Sequence, residues 1–484
     1  MAEILRTTPL TLECLSPVHI GSGDRLGPLD FVREGGRVLV IDQDKFLAYL
    51  GKTPTLSDAY LPFCESERPI LADFLRAHRI PAGDFAAYAL RAAGSVGRDV
   101  LTFIKAPNGA VFIPGSSVKG AIRSALLHRI VSEQAGIREA IVREASEEVR
   151  TLRRPVGGRR AAKLRRASGT ADRAAFGRDH NRDVMRMFQL ADSRPVAPSD
   201  LVLAEVRVLT VRSGALAIKE TRPGNPMRLT VEVLPTGTRL ESRMTWNAYL
   251  GESTGPATRL DFGDRVPFVS AWLTHCNAVA RDALQREVEF CRQFKEPALV
   301  LWHEGILKRL ESFGANQCLL HLGWGAGFDA MAVTNLFPPE ATRRIRQGAN
   351  LGKIGPDGPV EPFPKSRKVV WHDEKKLDPL GWILLTVGEK PTEATRRVIA
   401  VPSGERTPVV EPRPQPQPRP GPRRPPEPPV HPRLSTKADL EALRRSLQES
   451  KEGGRGSERT TKASEKAKRE QDKIWRRYRG ENEK

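Results

Sequence analysis

The sequence predicts an α+β fold, because runs typical of strands come in two successive blocks and helical segments are grouped between them. Units of the ferredoxin-like β-α-β-β-α-β type fit this order. We therefore expect two ferredoxin-like domains with helical insertions, at residues 1–195 and 196–400. A Pro-rich linker is expected at 401–433 and a charged tail at 434–484.

The first block begins with an alternating strand in LTLECLSPVHIGSG. DFVREGGRVLVID follows and predicts a hairpin that turns at Gly35-Gly36. Helical segments are expected around residues 71–90. VFIPGSSVKGAIRSALLHRI then predicts a strand, a loop of small residues and a helix. The apolar residues of that helix recur at helical spacing: Ile122, Leu126 and Ile130.

The second block begins with the strands LVLAEVRVLTV and RLTVEVLPTGTRL and continues with long helices near residues 268–313. Further strands are expected in NQCLLHLGWGAGFDAMAV, FPKSRKVVW and LGWILLTV. Both blocks therefore combine strands with helices, as the α+β class requires.

An Arg-rich insertion separates the two blocks. Seven basic residues and no acidic residue occur from Arg153 to Arg166. A solvated helix face usually alternates in sign, so a run of one sign favours an RNA- or partner-facing insertion. Arg159 and Arg160 are its candidate RNA contacts, and a disordered loop is the alternative.

The C-terminal part of the sequence is of a different kind. Proline fixes φ and removes backbone donors, so residues 401–433 predict an extended linker rather than a sheet or a helix. Residues 434–484 are highly charged, and we expect a disordered tail that is at most partly helical.

The composition favours a polyanionic partner. The formal net charge is +20, and Lys and Arg supply most sequence-independent affinity for nucleic acids. Five cysteines without C-x-x-C or zinc-ligand spacing predict free thiols, and neither a metal site nor a cofactor is expected. The N-terminus lacks a signal core and no run approaches membrane-spanning length, which predicts a cytoplasmic protein without membrane contact.

A first candidate site is the loop before the helix in VFIPGSSVKGAIRSALLHRI. Gly115, Ser116 and Ser117 would present backbone N–H groups at the positive end of a helix dipole, with Lys119 and Arg123 behind them. The spacing is not that of a nucleotide P-loop, so a polymer backbone is the expected anion. A core helix capped by Ser117 is the alternative.

A second candidate site is the sequence GWGAGF. Gly323, Gly325 and Gly327 would let a chain pass closely, while Trp324 and Phe328 offer faces on which bases could stack. The spacing is not that of the dinucleotide fingerprint. The alternative is a glycine-rich bend that packs two aromatic side chains into the core.

A third candidate site is the basic cluster of Lys365, Arg367 and Lys368. These residues are expected to contact an RNA backbone, and a strand edge protected by lysine is the alternative.

The loop after the first strand contains His19, Gly21, Ser22 and Gly23. His19 could stand as a general base, but no base, acid and oxyanion stabiliser are spaced so as to meet. We therefore expect His19 to cap the strand or to contact RNA together with the Gly-Ser-Gly loop, and we assign no catalytic residue.

Five of these motifs occur together in one order: LSPVHIGSG, IPGSSVKGAIRSAL, RDVMRMFQLADS, LHLGWGAGF and PKSRKVVW…LGWILL. In this combination the chain resembles the RAMP-type proteins of type III CRISPR systems, and among them the family of the fifth subunit of the type III-A Csm complex. The resemblance covers roughly residues 5–390. The linker and tail lie outside it.

The resemblance implies RNA-recognition-type (RAMP) ferredoxin-like domains and a non-catalytic, RNA-binding subunit on the 3′ side of the CRISPR RNA. Its implied partners are the CRISPR RNA, the other subunits of the Csm complex, target RNA indirectly, and host nucleases that trim the guide. The alternative is a RAMP endoribonuclease that processes CRISPR RNA itself.

Binding of single-stranded RNA is expected to depend weakly on sequence and strongly on salt, because separated basic clusters would neutralise phosphates and no base-reading code is visible. Measuring the dissociation constant between about 50 and 200 mM salt checks this, and affinity should fall linearly on a log–log scale. An affinity that stays constant over this range would contradict the expectation.

Overall fold

The structure, a computed structural model, describes five stretches of the chain: 4–152, 161–251, 259–263, 265–373 and 376–388. The predicted Pro-rich linker and charged tail lie outside these residues, and so do Arg159 and Arg160.

The strands of the described residues are numbered in chain order: β1 Leu5–Cys14, β2 Gly21–Leu26, β3 Phe31–Glu34, β4 Arg37–Ile41, β5 Ala86–Ala93, β6 Val100–Phe103, β7 Phe188–Leu190, β8 Val202–Arg212, β9 Ala215–Ile218, β10 Glu220–Arg222, β11 Asn225–Pro226, β12 Arg228–Val233, β13 Arg239–Asn247, β14 Gln317–His321, β15 Ile354–Gly355, β16 Gly358–Pro359, β17 Ser366–Trp371, β18 Leu377–Pro379 and β19 Trp382–Val387.

The α-helices are numbered likewise: α1 Gln43–Gly51, α2 Pro54–Glu65, α3 Leu71–Ala77, α4 Gly115–Glu133, α5 Ala135–Thr151, α6 Arg165–Phe176, α7 Arg265–Ser270, α8 Trp272–Gln293, α9 Pro297–Glu311 and α10 Pro339–Ala349. Short 3₁₀ helices lie at Ala82–Phe85, His180–Arg182, Val184–Met187, Pro198–Asp200, Ala248–Gly251 and Thr334–Leu336. The predicted mixture of helices and sheets is confirmed.

A five-stranded antiparallel sheet has the order β14-β19-β1-β13-β7. In chain order α4 comes between β1 and β7, and α8 comes between β13 and β14. Strand β13 is inserted between β1 and β7 and runs antiparallel to both, as in a split β-α-β unit. The apolar faces of α4 and α8 contribute Ile122, Leu126 and Cys276 to the same core as Leu10 and Leu12 of β1.

A ten-stranded sheet has the main order β2-β6-β12-β8-β5-β4-β3, and β9, β17 and β18 join it off this path. Strand β8 is eleven residues long, so it pairs with β12 and β5 near its start and with β17 and β9 farther on. Both sheets draw strands from residues 1–195 and from 196–400. The predicted division between two domains at residue 195 stays a prediction.

Most elements predicted from local pattern are found. The predicted hairpin is β3–β4, and both Gly35 and Gly36 at its turn have positive φ. The long helices near residues 268–313 are α8 and α9. The predicted helix at residues 71–90 is wrong in its second half. Ala86–Ala93 is strand β5, which pairs with β4 and β8. Tertiary pairing decides the structure of this alanine-rich segment.

A buried carboxylate lies inside the ten-stranded sheet. The side chain of Glu232, on β12, has 0% exposure. It accepts hydrogen bonds from the Tyr88 hydroxyl at 2.9 Å and from the Phe103 backbone N–H at 2.7 Å, and it forms an ion pair with Lys105. Burial and the nearby carboxylate raise the pKa of Tyr88, which keeps its hydroxyl a donor. One side chain thereby ties together β5, β6 and β12.

Glu232→Gln removes the negative charge that pairs with Lys105. The Lys105 side chain is only 15% exposed, so its charge is left largely buried without a partner. An uncompensated buried charge is costly, so we expect the free energy of unfolding to fall by about 3 kcal/mol. Chemical denaturation measures this. Glu34→Gln, at an exposed position of β3 in the same sheet, is the matched control and should leave the midpoint unchanged. Equal midpoints for the two variants would contradict the assigned role of Glu232.

Candidate nucleic-acid interface

Three loops that carry sequence motifs meet at one place, which we call the three-loop surface: residues 15–23, 322–328 and 379–382. The Trp324 backbone N–H donates to the His19 carbonyl at 2.9 Å. Leu322 and Gly381 are joined by a backbone hydrogen bond of 2.8 Å, and Gly381 N–H donates to the Pro17 carbonyl at 2.9 Å. Segments more than 300 residues apart in sequence are thus held together through their main chains.

Two glycines of GWGAGF are required by this close approach. A Cβ at Gly323, where φ is +84°, would lie 2.4 Å from the His19 carbonyl oxygen. A Cβ at Gly325 would lie 2.1 Å from the Leu380 Cβ. Gly327 has open space around it and is exposed. The loop is therefore packed at its base and open at Gly327.

His19 is a buried part of this surface. Its side chain is 2% exposed, and its Nδ1 donates to the backbone oxygen of Glu232 at 2.7 Å. The ring packs edge-to-face against Phe103 and Trp324. Burial lowers the pKa of His19, so the ring is neutral at pH 7. These contacts make His19 a residue that positions Trp324, and the predicted RNA contact of His19 stays a prediction.

The Gly-Ser-Gly motif forms the start of β2, at one end of the ten-stranded sheet. Gly21, Ser22 and Gly23 are all exposed. The Ser22 hydroxyl shares a hydrogen bond of 2.6 Å with the Thr102 hydroxyl and accepts one from the Asp24 backbone N–H at 3.0 Å. This motif is accessible to a ligand while remaining anchored to β6.

The two aromatic side chains of GWGAGF are partly buried. Lys368 Nζ lies 4.4 Å from the centre of the Trp324 ring, a cation–π arrangement. Burial lowers the pKa of Lys368. Phe328 packs edge-to-face on Phe363, with 5.0 Å between ring centres. Each ring uses part of its surface for internal packing, as the alternative of a glycine-rich bend predicts. Stacking of RNA bases on the rest of each ring stays a prediction.

The predicted basic cluster divides into different roles. Arg367 pairs with Glu287 at 2.7 Å and lies 3.9 Å from the Phe290 ring centre, so its charge is used within the fold. The Lys365 ammonium has no hydrogen-bond or ion-pair partner among the residues that the structure describes. Lys365 and Lys368 are the cations of this cluster that remain for an external anion.

The loop before α4 is occupied by groups of the protein itself. The Gly115 N–H donates to Asp192 Oδ1 at 2.8 Å, and a Cβ at Gly115 would lie 2.3 Å from the Leu190 carbonyl oxygen. The helix begins at Gly115, so Ser117 lies in the first turn rather than at the predicted cap. Ser116 is exposed. A carboxylate therefore already takes the place at the helix N-terminus that an external anion would need.

The two cations behind this loop also have internal partners. Lys119 Nζ donates to the Met185 carbonyl at 2.8 Å, and burial lowers its pKa. Arg123 pairs with Asp183 at 2.7 Å and Asp172 at 3.0 Å, and its guanidinium lies 3.8 Å from the Phe176 ring centre. The structure thus favours a core helix over a phosphate site for this motif, with Asp192 rather than Ser117 bound at the helix N-terminus.

Sequence reasoning missed Glu232, which connects the sheet to the His19 loop. A usable signal was present, because Glu232 stands alone between Val231 and Val233 in an apolar strand. It also missed Glu287 as the partner of Arg367, since nothing in the sequence relates α8 to β17.

Among the described residues, no group of three or more His, Cys, Asp or Glu side chains could hold a metal ion. In the same residues, the helices are too short or too polar to cross a membrane. The five cysteines are free thiols, as predicted.

The fold is that of a known class of protein. The chain belongs to the RAMP superfamily, whose family model matches residues 11–328.

Two curated relatives are both named CRISPR system Cms protein Csm5. The one from Streptococcus thermophilus is 32% identical over 144 residues, which is 26% of this chain and 40% of that protein. The one from Mycobacterium tuberculosis (strain CDC 1551 / Oshkosh) is 28% identical over 266 residues, which is 49% of this chain and 69% of that protein. The chain therefore spans less than half of the Streptococcus relative. The predicted resemblance to the family of the fifth Csm subunit is confirmed.

Two solved structures share the fold. One is a chain of the Csm-crRNA-target RNA ternary complex of a type III-A CRISPR-Cas system, solved by cryo-EM, with a TM-score of 0.57 and 20% identity over 78% of this chain and 100% of that chain. The other is the crystal structure of T. onnurineus Csm5, with a TM-score of 0.50 and 20% identity over 77% of this chain and 99% of that chain.

Arg123→Glu removes two ion pairs and a cation–π contact and places a third carboxylate beside Asp172 and Asp183. We expect it to lower the free energy of unfolding by about 2 kcal/mol, and with it the melting temperature. Arg143→Glu, at an exposed position of α5, is the matched control. If Arg123→Glu melts like the parent protein but loses RNA binding, the loop before α4 is an RNA site after all.

Proposed function

We propose that this chain is a non-catalytic, RNA-binding subunit of a type III-A CRISPR effector complex. The observation that carries the proposal is the three-loop surface, where a glycine-rich loop lies beside an exposed Gly-Ser-Gly strand and Lys368 lies over Trp324. Lys365 stands three residues before Lys368 in the chain. Backbone that can be approached closely, partly exposed aromatic rings and unpaired cations are the features that single-stranded RNA requires.

The comparisons support the choice of complex. Both curated relatives carry the name of a Csm subunit, and one structural neighbour is part of a complex that contains crRNA and target RNA. By this proposal the partners of the chain are CRISPR RNA and the other Csm subunits, with target RNA reached indirectly.

The non-catalytic part of the proposal is supported by the state of His19. The ring is buried, one nitrogen is bound to a backbone carbonyl, and desolvation favours the neutral form. A general base must reach the proton that it removes. Trimming of the guide would then be performed by host nucleases rather than by this chain.

Finer features belong to the same proposal. The subunit would cap the 3′ side of the CRISPR RNA, support its maturation and act in the cytoplasm. The split β-α-β arrangement of the five-stranded sheet supports a ferredoxin-like unit there, and we keep two such units as part of the proposal.

Reversal of both available cations tests the RNA contact. Lys365→Glu with Lys368→Glu is expected to weaken binding of single-stranded RNA at least ~10-fold at low salt and to reduce the salt slope by about 1.4. Titration of labelled RNA at several salt concentrations measures both quantities. The matched control is Lys219→Glu with Lys308→Glu, which changes net charge equally at exposed positions. An equal loss of RNA affinity in both double variants would contradict an RNA contact at Lys365 and Lys368.

Membership of the complex is tested by purifying the full chain with its genomic neighbours and sequencing the bound RNA. The proposal predicts a multi-subunit particle that contains CRISPR guides. Guides are expected to be absent or to have altered 3′ ends when the chain carries the reversed pair. A chain that purifies alone, without guide RNA, would contradict the proposal.

A further inference from the structure

A pocket of about 210 Å³ lies beside the glycine-rich loop. The loop residues Gly325–Asp329 line one wall, and Ser366–Val369 of β17 line another. This volume far exceeds the ~15 Å³ that a single water needs. The pocket is therefore large enough for a small molecule or for one unstacked group of a polymer.

Flat apolar groups line much of the pocket. The Trp382 and His321 rings, which both line it, are stacked with 4.1 Å between centres and 10° between planes. Phe328 lies at the loop wall, and Leu380 lies beside Gly325. Planar aromatic walls of this kind suit a planar heterocycle.

Most polar groups of the walls already have partners. Glu287 pairs with Arg367 at 2.7 Å. His321 Nε2 donates to the Leu380 carbonyl at 2.8 Å, and His303 Nδ1 donates to the Leu299 carbonyl at 2.7 Å. These groups hold the pocket in shape and have little remaining capacity for a ligand.

Asp329 differs from them. Its carboxyl group is half-buried, lines the pocket, and has no hydrogen-bond or ion-pair partner among the described residues. Burial raises the pKa of Asp329. The Asp329 carboxylate is therefore a free acceptor at the pocket wall, and a ligand with hydrogen-bond donors could bind to it.

A second observation points to the same place. A smaller cavity of about 70 Å³ adjoins the pocket and shares Asp329, Glu287 and His321 with it. His128 lines this cavity and is 5% exposed, and its Nε2 has no hydrogen-bond partner. Asp329 and His128 are therefore two unpartnered polar groups that line the same smaller cavity.

We propose that this pocket binds one unstacked guanine base of the RNA, with Asp329 accepting hydrogen bonds from the guanine N1–H and N2 amine. The proposal rests on the RNA-binding function proposed above and adds a preference at one base to an otherwise weakly sequence-dependent contact. Guanine suits the site because its Watson–Crick edge presents two adjacent donors, which match the two oxygens of a carboxylate.

The charges around the pocket agree with a nucleotide. Lys368 lines the pocket and Lys365 precedes the same wall, so phosphates that flank the base would meet cations. An arginine or lysine side chain of a protein partner would also satisfy Asp329, but the cation Lys368 in the wall opposes its entry.

The test compares three oligouridines of about 12 nucleotides, a length that allows the RNA to slide into register. One contains a single central guanosine, one contains inosine there, and one is uridine throughout. Inosine lacks only the N2 amine. The full chain is expected to bind the guanosine oligomer roughly tenfold more tightly than the uridine oligomer, with inosine in between.

Asp329→Asn is expected to remove the preference for guanosine over inosine. Asp282→Asn, at an exposed position of α8, is the matched control and should keep it. The comparison of oligomers on the unaltered protein needs no variant, so it remains decisive if Asp329→Asn does not fold.

The outcomes separate the two proposals. RNA binding that is equal for all three oligomers overturns the guanine pocket and leaves the proposed function intact. Failure to bind any oligomer overturns the proposed function and the pocket with it. A guanosine preference that survives both Asp329→Asn and Asp329→Ala overturns the role of Asp329.

Discussion

The buried carboxylate of Glu232 is the interaction on which the rest of the site depends. Its side chain accepts hydrogen bonds from Tyr88 and Phe103 and pairs with Lys105, while its backbone oxygen accepts a hydrogen bond from His19 Nδ1. The His19 carbonyl in turn accepts the Trp324 N–H. A continuous series of hydrogen bonds therefore runs from the interior of the ten-stranded sheet to the glycine-rich loop. Because a buried charge tolerates few alternative partners, this arrangement fixes the position of the loop as well as the sheet.

The two basic motifs that look alike in sequence differ in what their charges do. Around α4, Asp192, Met185 and Asp183 supply partners for the helix N-terminus and for both cations, so the local charges are neutralised within the fold. Beside the three-loop surface, Lys368 lies over the Trp324 ring. Lys365, three residues earlier in the chain, keeps an ammonium group without a partner among the described residues. Attraction for a polyanion is expected from unneutralised charge, which is why we propose the RNA interface at the second motif.

Local pattern predicted much of the fold, because strands and helices follow from spacing that the sequence displays. The hairpin at Gly35-Gly36, helix α4 and helices α8 and α9 are examples. Local pattern could not predict which distant segments contact one another. The pairing of Arg123 with Asp183 and of Arg367 with Glu287 depends on packing across 60 and 80 residues. For the same reason the predicted helix at residues 71–90 was wrong from residue 86 on, because pairing with β4 and β8 makes Ala86–Ala93 a strand. The motif glycines Gly323 and Gly325 were predicted to let an RNA chain pass closely, and the structure shows that both lie against groups of this chain, the His19 carbonyl and Leu380.

Photo-cross-linking of single-stranded RNA to the full chain, followed by peptide mapping, tests the central claim most directly. If the three-loop surface binds RNA, cross-linked peptides will contain Trp324 or Phe328, whose rings are partly exposed beside the pocket. Cross-links confined to peptides of α4 or of the Arg-rich segment, with the 322–328 loop unmodified, would contradict the claim. They would show that RNA binds at one of those segments instead.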